Sequence, residues 1–91
     1  MNIQWTTKAV SELGRLHDFL APVYRRAAAR TVQALASAPN RLLEQPRMGE
    51  RLEEFDPREV RRLLVGHYEM RYEITQSTIY VLTLWHTRES R

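Results

Sequence analysis

From Arg58 onward the residues alternate with a period of two, and only Gly66-His67 and Gln76-Ser77 interrupt the pattern. No other feature constrains the fold as much. Residues 58–65, 68–75 and 78–86 are each the length of a strand, and the spacers between them suit tight antiparallel hairpins. With two residues in each loop the register is set, and directly opposed residues share a face. One face then carries Arg61, Leu63, Val65, Tyr68, Met70, Tyr72, Ile74, Ile79, Val81, Thr83 and Trp85, nearly all apolar. The other carries Val60, Arg62, Leu64, Glu69, Arg71, Glu73, Tyr80, Leu82, Leu84 and His86, with Arg62 opposite Arg71. The first face requires an apolar cover. The second is too polar for a core and too apolar for plain solvent, which marks it as an interaction surface.

The N-terminal half supplies the cover. Residues 2–5 read as a short strand, and Thr6 or Thr7 is a natural N-cap for a helix beginning there. Ala9, Val10, Leu13, Leu16, Phe19 and Leu20 then recur at helical spacing until Ala21-Pro22 stops them. Pro22 suits the first turn of a second helix, in which Tyr24, Ala27, Ala28, Thr31, Val32 and Leu35 form one stripe. Arg25, Arg26 and Arg30 take the other side of that helix, and Pro39-Asn40 ends it. Residues 39–57 hold three of the four prolines and Gly49 without a sustained period, as expected of a connecting loop with one helical turn at its start. The expected fold is α+β in the order β-α-α-β-β-β. It is a single domain over residues 1–91, with a helical hairpin on one face of a small antiparallel sheet.

Composition narrows the class of function. A chain of 91 residues buries only part of the surface that its unfolded form exposes, so a stabilising partner is expected. No apolar run approaches the roughly 18 residues of a membrane span, and no basic-then-apolar leader opens the sequence. With zero cysteines as well, the expected location is the reducing cytoplasm. Lys8 is the only lysine among 14 basic residues. The arginines favour gripping carboxylate or phosphate over lysine-based proton transfer, although a compositional bias toward arginine accounts for the ratio equally well. Residues 50–57, with four acidic and one basic side chain, separate two basic lobes. His17, His67 and His86 lie on separate elements without ligand spacing, so neither a metal nor a cofactor is expected.

The element order, the stretch EVRRLLVGHYEMRYEI and the ending VLTLWHTRESR together resemble the RelE/ParE superfamily of bacterial type II toxins. The likeness covers essentially the whole chain. It is strongest around Gly66-His67-Tyr68 and in the terminal run His86, Thr87 and Arg88. The resemblance implies an antitoxin partner, ParD-like for a ParE-like toxin, whose C-terminal segment wraps and neutralises the toxin. RelE-like members cut mRNA on the ribosome, whereas ParE-like members inhibit DNA gyrase by stabilising its cleaved DNA complex.

RNA cleavage at the 2′-hydroxyl needs a base, an acid and positive charge on the phosphate. Here the catalytic candidates would be His86, Arg62 and Arg71. Glu69 follows Tyr68 where RNA-cutting relatives commonly place an arginine, and nothing aromatic follows Trp85. Both points favour a non-enzymatic, ParE-like toxin. Arg62, Arg71, His86, Arg88 and Arg91 are then the candidates for target contact, with DNA reached only through gyrase. Leu64, Tyr80, Leu82 and Leu84 on the mixed sheet face, with Arg25, Arg26 and Arg30 on the second helix, are the candidates for antitoxin contact. Trp85 is expected to pack in the core and His86 on the mixed face. The strand that carries Glu69, Arg71 and Glu73 has the makings of an ion-pair cluster.

Overall fold

The structure is a computed structural model that describes residues 1–89. Its elements run β1 (Asn2–Trp5), α1 (Thr7–Leu20), α2 (Arg25–Ser37), β2 (Glu50–Arg51), β3 (Glu59–Val65), β4 (Tyr68–Ile74) and β5 (Thr78–His86). Short 3-10 turns occupy Ala38–Leu43 and Glu53–Phe55. This is the expected α+β order, with two refinements. The sheet has five strands in the order β1-β5-β4-β3-β2, and β1 joins it parallel to β5, so the sheet is mixed. The expected loop also contributes β2, which pairs antiparallel with β3.

The β3–β4 hairpin has the register that its two-residue turn requires, from Val65 opposite Tyr68 to Glu59 opposite Ile74, and Arg62 faces Arg71. Gly66 supplies the left-handed residue of that turn at φ 59°. The β4–β5 pairing also starts as expected, with Ile74 opposite Ile79 and Tyr72 opposite Val81. It then shifts. Arg71 lies opposite Thr83 and Tyr68 opposite His86, so Leu82 is an extra residue, a β-bulge. Beyond the bulge the expected faces are exchanged. Leu84 enters the core at 3% exposure, Trp85 leaves the helix side to sit opposite Glu69, and His86 comes to the helix side against Tyr68.

The helical cover is anchored by polar groups as well as apolar ones. The Thr6 hydroxyl caps α1 by accepting the Ala9 N–H, and it donates to the Leu82 carbonyl across the sheet edge. Glu12, buried on the inner side of α1, accepts from the Thr83 hydroxyl at 2.6 Å and from the Leu84 N–H at 3.1 Å. Two apolar positions of the expected α1 stripe, Val10 and Phe19, are exposed. The second helix begins at Arg25, after a turn that contains Pro22. Tyr24 consequently lies at its cap, exposed and without a capping side-chain bond. Ala28 and Leu35 carry the burial on α2, and the following turn adds Pro39 and Leu42 to the core.

The far edge is locked by Tyr72, which is fully buried. Its hydroxyl accepts the Gly49 N–H at 3.0 Å and donates to the Pro46 carbonyl at 2.8 Å. Arg61 reaches the Gly49 carbonyl at 2.7 Å while pairing with Glu59. A β-carbon on Gly49 would collide with the Arg62 carbonyl and lie 2.7 Å from the Tyr72 hydroxyl. One of those obstacles is backbone and cannot swing away. Gly49→Ala is therefore expected to lower the unfolding free energy by about 1–3 kcal/mol in a urea titration. In the same assay Glu12→Ala should cost about 1–3 kcal/mol by stranding the Leu84 N–H, and Glu12→Gln, which keeps an acceptor oxygen, should cost less.

Candidate functional site

Two faces of the molecule differ in how their charges are used. Arg47, Arg51, Arg58, Arg61, Arg62 and Arg71, on the sheet and its connecting loop, all form ion pairs. Glu69 is central to this network. It is buried to 8% exposure, it holds Arg71 Nε at 3.1 Å, and its other oxygen lies 3.5 Å from Arg62. Arg62 also pairs with Glu50 at 3.0 Å, and Arg58 pairs with Glu73 at 2.7 Å. The more exposed of these pairs, such as Arg62–Glu50, add little stability, but all of them occupy the guanidinium forks. Arg71 is further held between two rings, 4.7 Å from the Trp85 centroid and 5.6 Å from that of Phe55. Trp85 is thereby covered by a cation on the face opposite the helices, and not by the helical hairpin as its alternation had implied.

The helical hairpin is the opposite case. Residues 7–41 contain six cationic and two acidic side chains. Lys8, Arg15, Arg25, Arg26, Arg30 and Arg41 form no ion pair among the described residues. The free positive charge of the described chain therefore lies on the helices and at Arg88, next to exposed Phe19, Val23 and Tyr24.

The three nuclease candidates are not brought together. His86 lies on the α1 side of the sheet, its ring edge-on to Tyr68 at 5.1 Å and stacked on His67 at 6.1 Å. Arg62 and Arg71 lie on the opposite face with Glu69 and Trp85. His86 Nδ1 accepts the Arg88 N–H at 3.1 Å, which folds the segment after β5 back on itself. The Thr87 N–H donates to the His67 carbonyl at 2.8 Å, tying that segment to the β3–β4 turn. Burial, with a smaller effect from the Glu89 carboxylate, raises the Tyr68 hydroxyl above its ordinary pKa. Among the described residues no group of three His, Cys, Asp or Glu side chains is placed to hold a metal.

The other candidates are dispersed. Leu64 is exposed at 57%, and Tyr80 and Leu82 are half-buried. Leu84, expected on the open mixed face, packs in the core on the helix side because the bulge turns it inward. Arg25, Arg26 and Arg30 are exposed along α2, as expected, and Arg91 lies outside the described residues.

The alternation pattern did not reveal a cleft of about 500 Å³ between α1 and the end of β5. Lys8, Glu12, Arg15, Leu16 and Phe19 line it from α1, and Tyr68, Leu84, Trp85, His86 and Glu89 line it from the sheet side. One sequence signal pointed there. The first strand is four residues long and the last is nine, so parallel pairing leaves half of β5 without a strand on its β1 edge.

No curated protein sequence matches the chain. One solved structure, from the chromosomal ParDE TA system of P. aeruginosa, superposes with a TM-score of 0.78 at 20% identity. The alignment covers 94% of this chain and 95% of that one, a likeness that establishes the fold. The family model for the ParE toxin of the type II toxin–antitoxin system parDE matches residues 3–91. With that match spanning nearly the whole sequence, the chain belongs to the ParE toxin family.

Proposed function

We propose that this toxin acts by binding DNA gyrase in the cytoplasm, without chemistry of its own, and that a ParD-like antitoxin neutralises it. The observation that carries the non-enzymatic part is the separation of His86 from Arg62 and Arg71 by the thickness of the sheet. An acid or base and a phosphate grip must reach the same phosphodiester, and these groups point to opposite sides. Glu69 adds a carboxylate between the two arginines, where a phosphate would have to sit. The gyrase assignment rests on family membership. Among the described residues no helix is long and apolar enough to cross a membrane, which is compatible with a cytoplasmic target.

For target contact, His86 and Arg88 have a common frame. Their hydrogen bond fixes the turn after β5, and Arg88 is exposed there without an ion pair among the described residues. Arg62 and Arg71 contribute to this reading as a rigid face held by Glu69, not as free forks. Arg91 extends the same segment in sequence. For antitoxin contact, the free charge and exposed apolar residues of the hairpin suit an acidic amphipathic segment, and Leu64, Tyr80 and Leu82 suit an extended tail.

Purified protein added to gyrase supercoiling and ribosome-dependent mRNA cleavage assays tests the target. Inhibition of supercoiling with mRNA left intact is expected. Cleaved mRNA with gyrase untouched would replace this reading with the RelE-like one. On induction in cells, His86→Ala/Arg88→Ala should raise the toxin level needed for half-maximal growth arrest by about tenfold, equivalent to roughly 1.4 kcal/mol of target contact. Arg25→Ala/Arg26→Ala should change it less, and the reverse order would move the target surface onto the helices.

A further inference from the structure

The α1–β5 cleft exists because β1 ends at Trp5, pairing only with residues 78–81 of β5 and leaving residues 82–86 beside α1. An open strand edge normally invites another strand. Here side chains occupy that edge. The Thr6 hydroxyl donates to the Leu82 carbonyl, the Glu12 carboxylate accepts the Leu84 N–H, and the Glu89 carboxylate accepts the His86 N–H at 3.4 Å. A partner strand would have to displace all three, one of them a buried carboxylate. Side-chain insertion from a helix needs none of them to move.

The cleft walls fit such insertion. Leu16, Phe19 and Tyr68 give an apolar slot, and a volume of about 500 Å³ has room for a large side chain and its neighbours. Lys8 and Arg15 stand on the α1 rim without an ion pair among the described residues. They are seven positions apart, or about 10 Å along the helix axis. Carboxylates at i and i+7 of a partner helix repeat the same distance on one stripe. The slot also continues into the exposed apolar tip of the hairpin, where Phe19 is 80% and Val23 71% exposed. His86 and Glu89, in the segment proposed for target contact, also line the cleft.

We propose that the α1–β5 cleft is the anchor site of the antitoxin. The occupant is an acidic helical segment that inserts one large apolar side chain between Phe19 and Tyr68 and places carboxylates on Lys8 and Arg15. Neutralisation is a matter of position, because a helix seated there covers the turn at residues 86–89. The proposal rests on the reading of the chain as an antitoxin-controlled toxin, and it adds the site and the mode of capture.

The test uses the full chain and the purified product of the adjacent reading frame, titrated by calorimetry. Lys8→Glu/Arg15→Glu should weaken binding at least about thirtyfold and flatten its salt dependence. Arg41→Glu, a reversal of a single cation and so half that change in charge, placed away from the cleft, should change it less than about threefold. Phe19→Asp, at a position exposed enough to leave folding intact, should also weaken binding at least about tenfold. Circular dichroism and urea titration of each variant identify any loss due to unfolding. If the wild-type pair binds and both cleft variants bind equally well, the anchor site is overturned while the antitoxin reading stands. If the wild-type pair does not bind, both fall. A wild-type chain that sediments alone as a dimer, and becomes monomeric on Lys8→Glu/Arg15→Glu, would assign the cleft to a second copy and overturn the proposal.

Discussion

The buried Glu12 carboxylate is the interaction on which the arrangement of this molecule depends. It reaches from the first helix to the last strand, takes the Leu84 N–H and the Thr83 hydroxyl, and so closes an edge that the four-residue β1 is too short to cover. An unmet N–H at that position would cost free energy comparable to a lost hydrogen bond. Thr6 performs the same service one step earlier while capping α1. These two side chains fix where the helix lies on the sheet, and the position of the helix in turn shapes the cleft beside it.

The bulge at Leu82 is the second determinant. One extra residue in β5 sends Leu84 inward and Trp85 outward, and this puts the indole over Arg71 and His86 beside Tyr68. Alternation alone would divide adjacent residues of β5 between two faces, and the bulge decides which face each one takes. One face becomes a self-neutralised layer of arginines and glutamates. The other keeps its cations free on the helices and at the turn after β5. On the proposed contact mechanism, this sorts surfaces by the partner they suit: a rigid mixed sheet face, and a basic, partly apolar hairpin.

Much of this fold was legible in the residues. The alternation after Pro57, with two-residue turns, specified the three strands, their pairing and the register of β3–β4, because period and loop length leave little freedom there. The bulge was not legible, since nothing in TIYVLTLWH marks an inserted residue, and the exchange of Trp85 with Leu84 arises entirely from it. Glu69 could be read either as an obstacle to phosphate or as part of an ion-pair cluster, and the structure selects the cluster while leaving the obstacle in place. The helix stripes placed Ala9, Ala28 and Leu35 in the core but also included Val10, Phe19, Tyr24 and Ala27, which stay exposed because periodicity does not say how wide the buried face is. The cleft belongs to the gap between two elements of unequal length, and that gap emerges only once their pairing is known.

The sheet order has a consequence in time. The β5 strand stands between β1 and β4, so residues from near both ends of the sequence must meet before the sheet closes. A nascent chain that lacks residues 78–86 holds an N-terminal strand with nothing to pair with, and Glu12 has no strand edge to cap. Such long-range closure is slow and comes late, in contrast to the local β3–β4 hairpin. Both the cleft and the turn at His86 are then absent from any partially made chain. On the proposed reading, the surfaces for target and antitoxin exist only once residues 78–89 have been made, and a partner already present has that interval in which to intercept the chain.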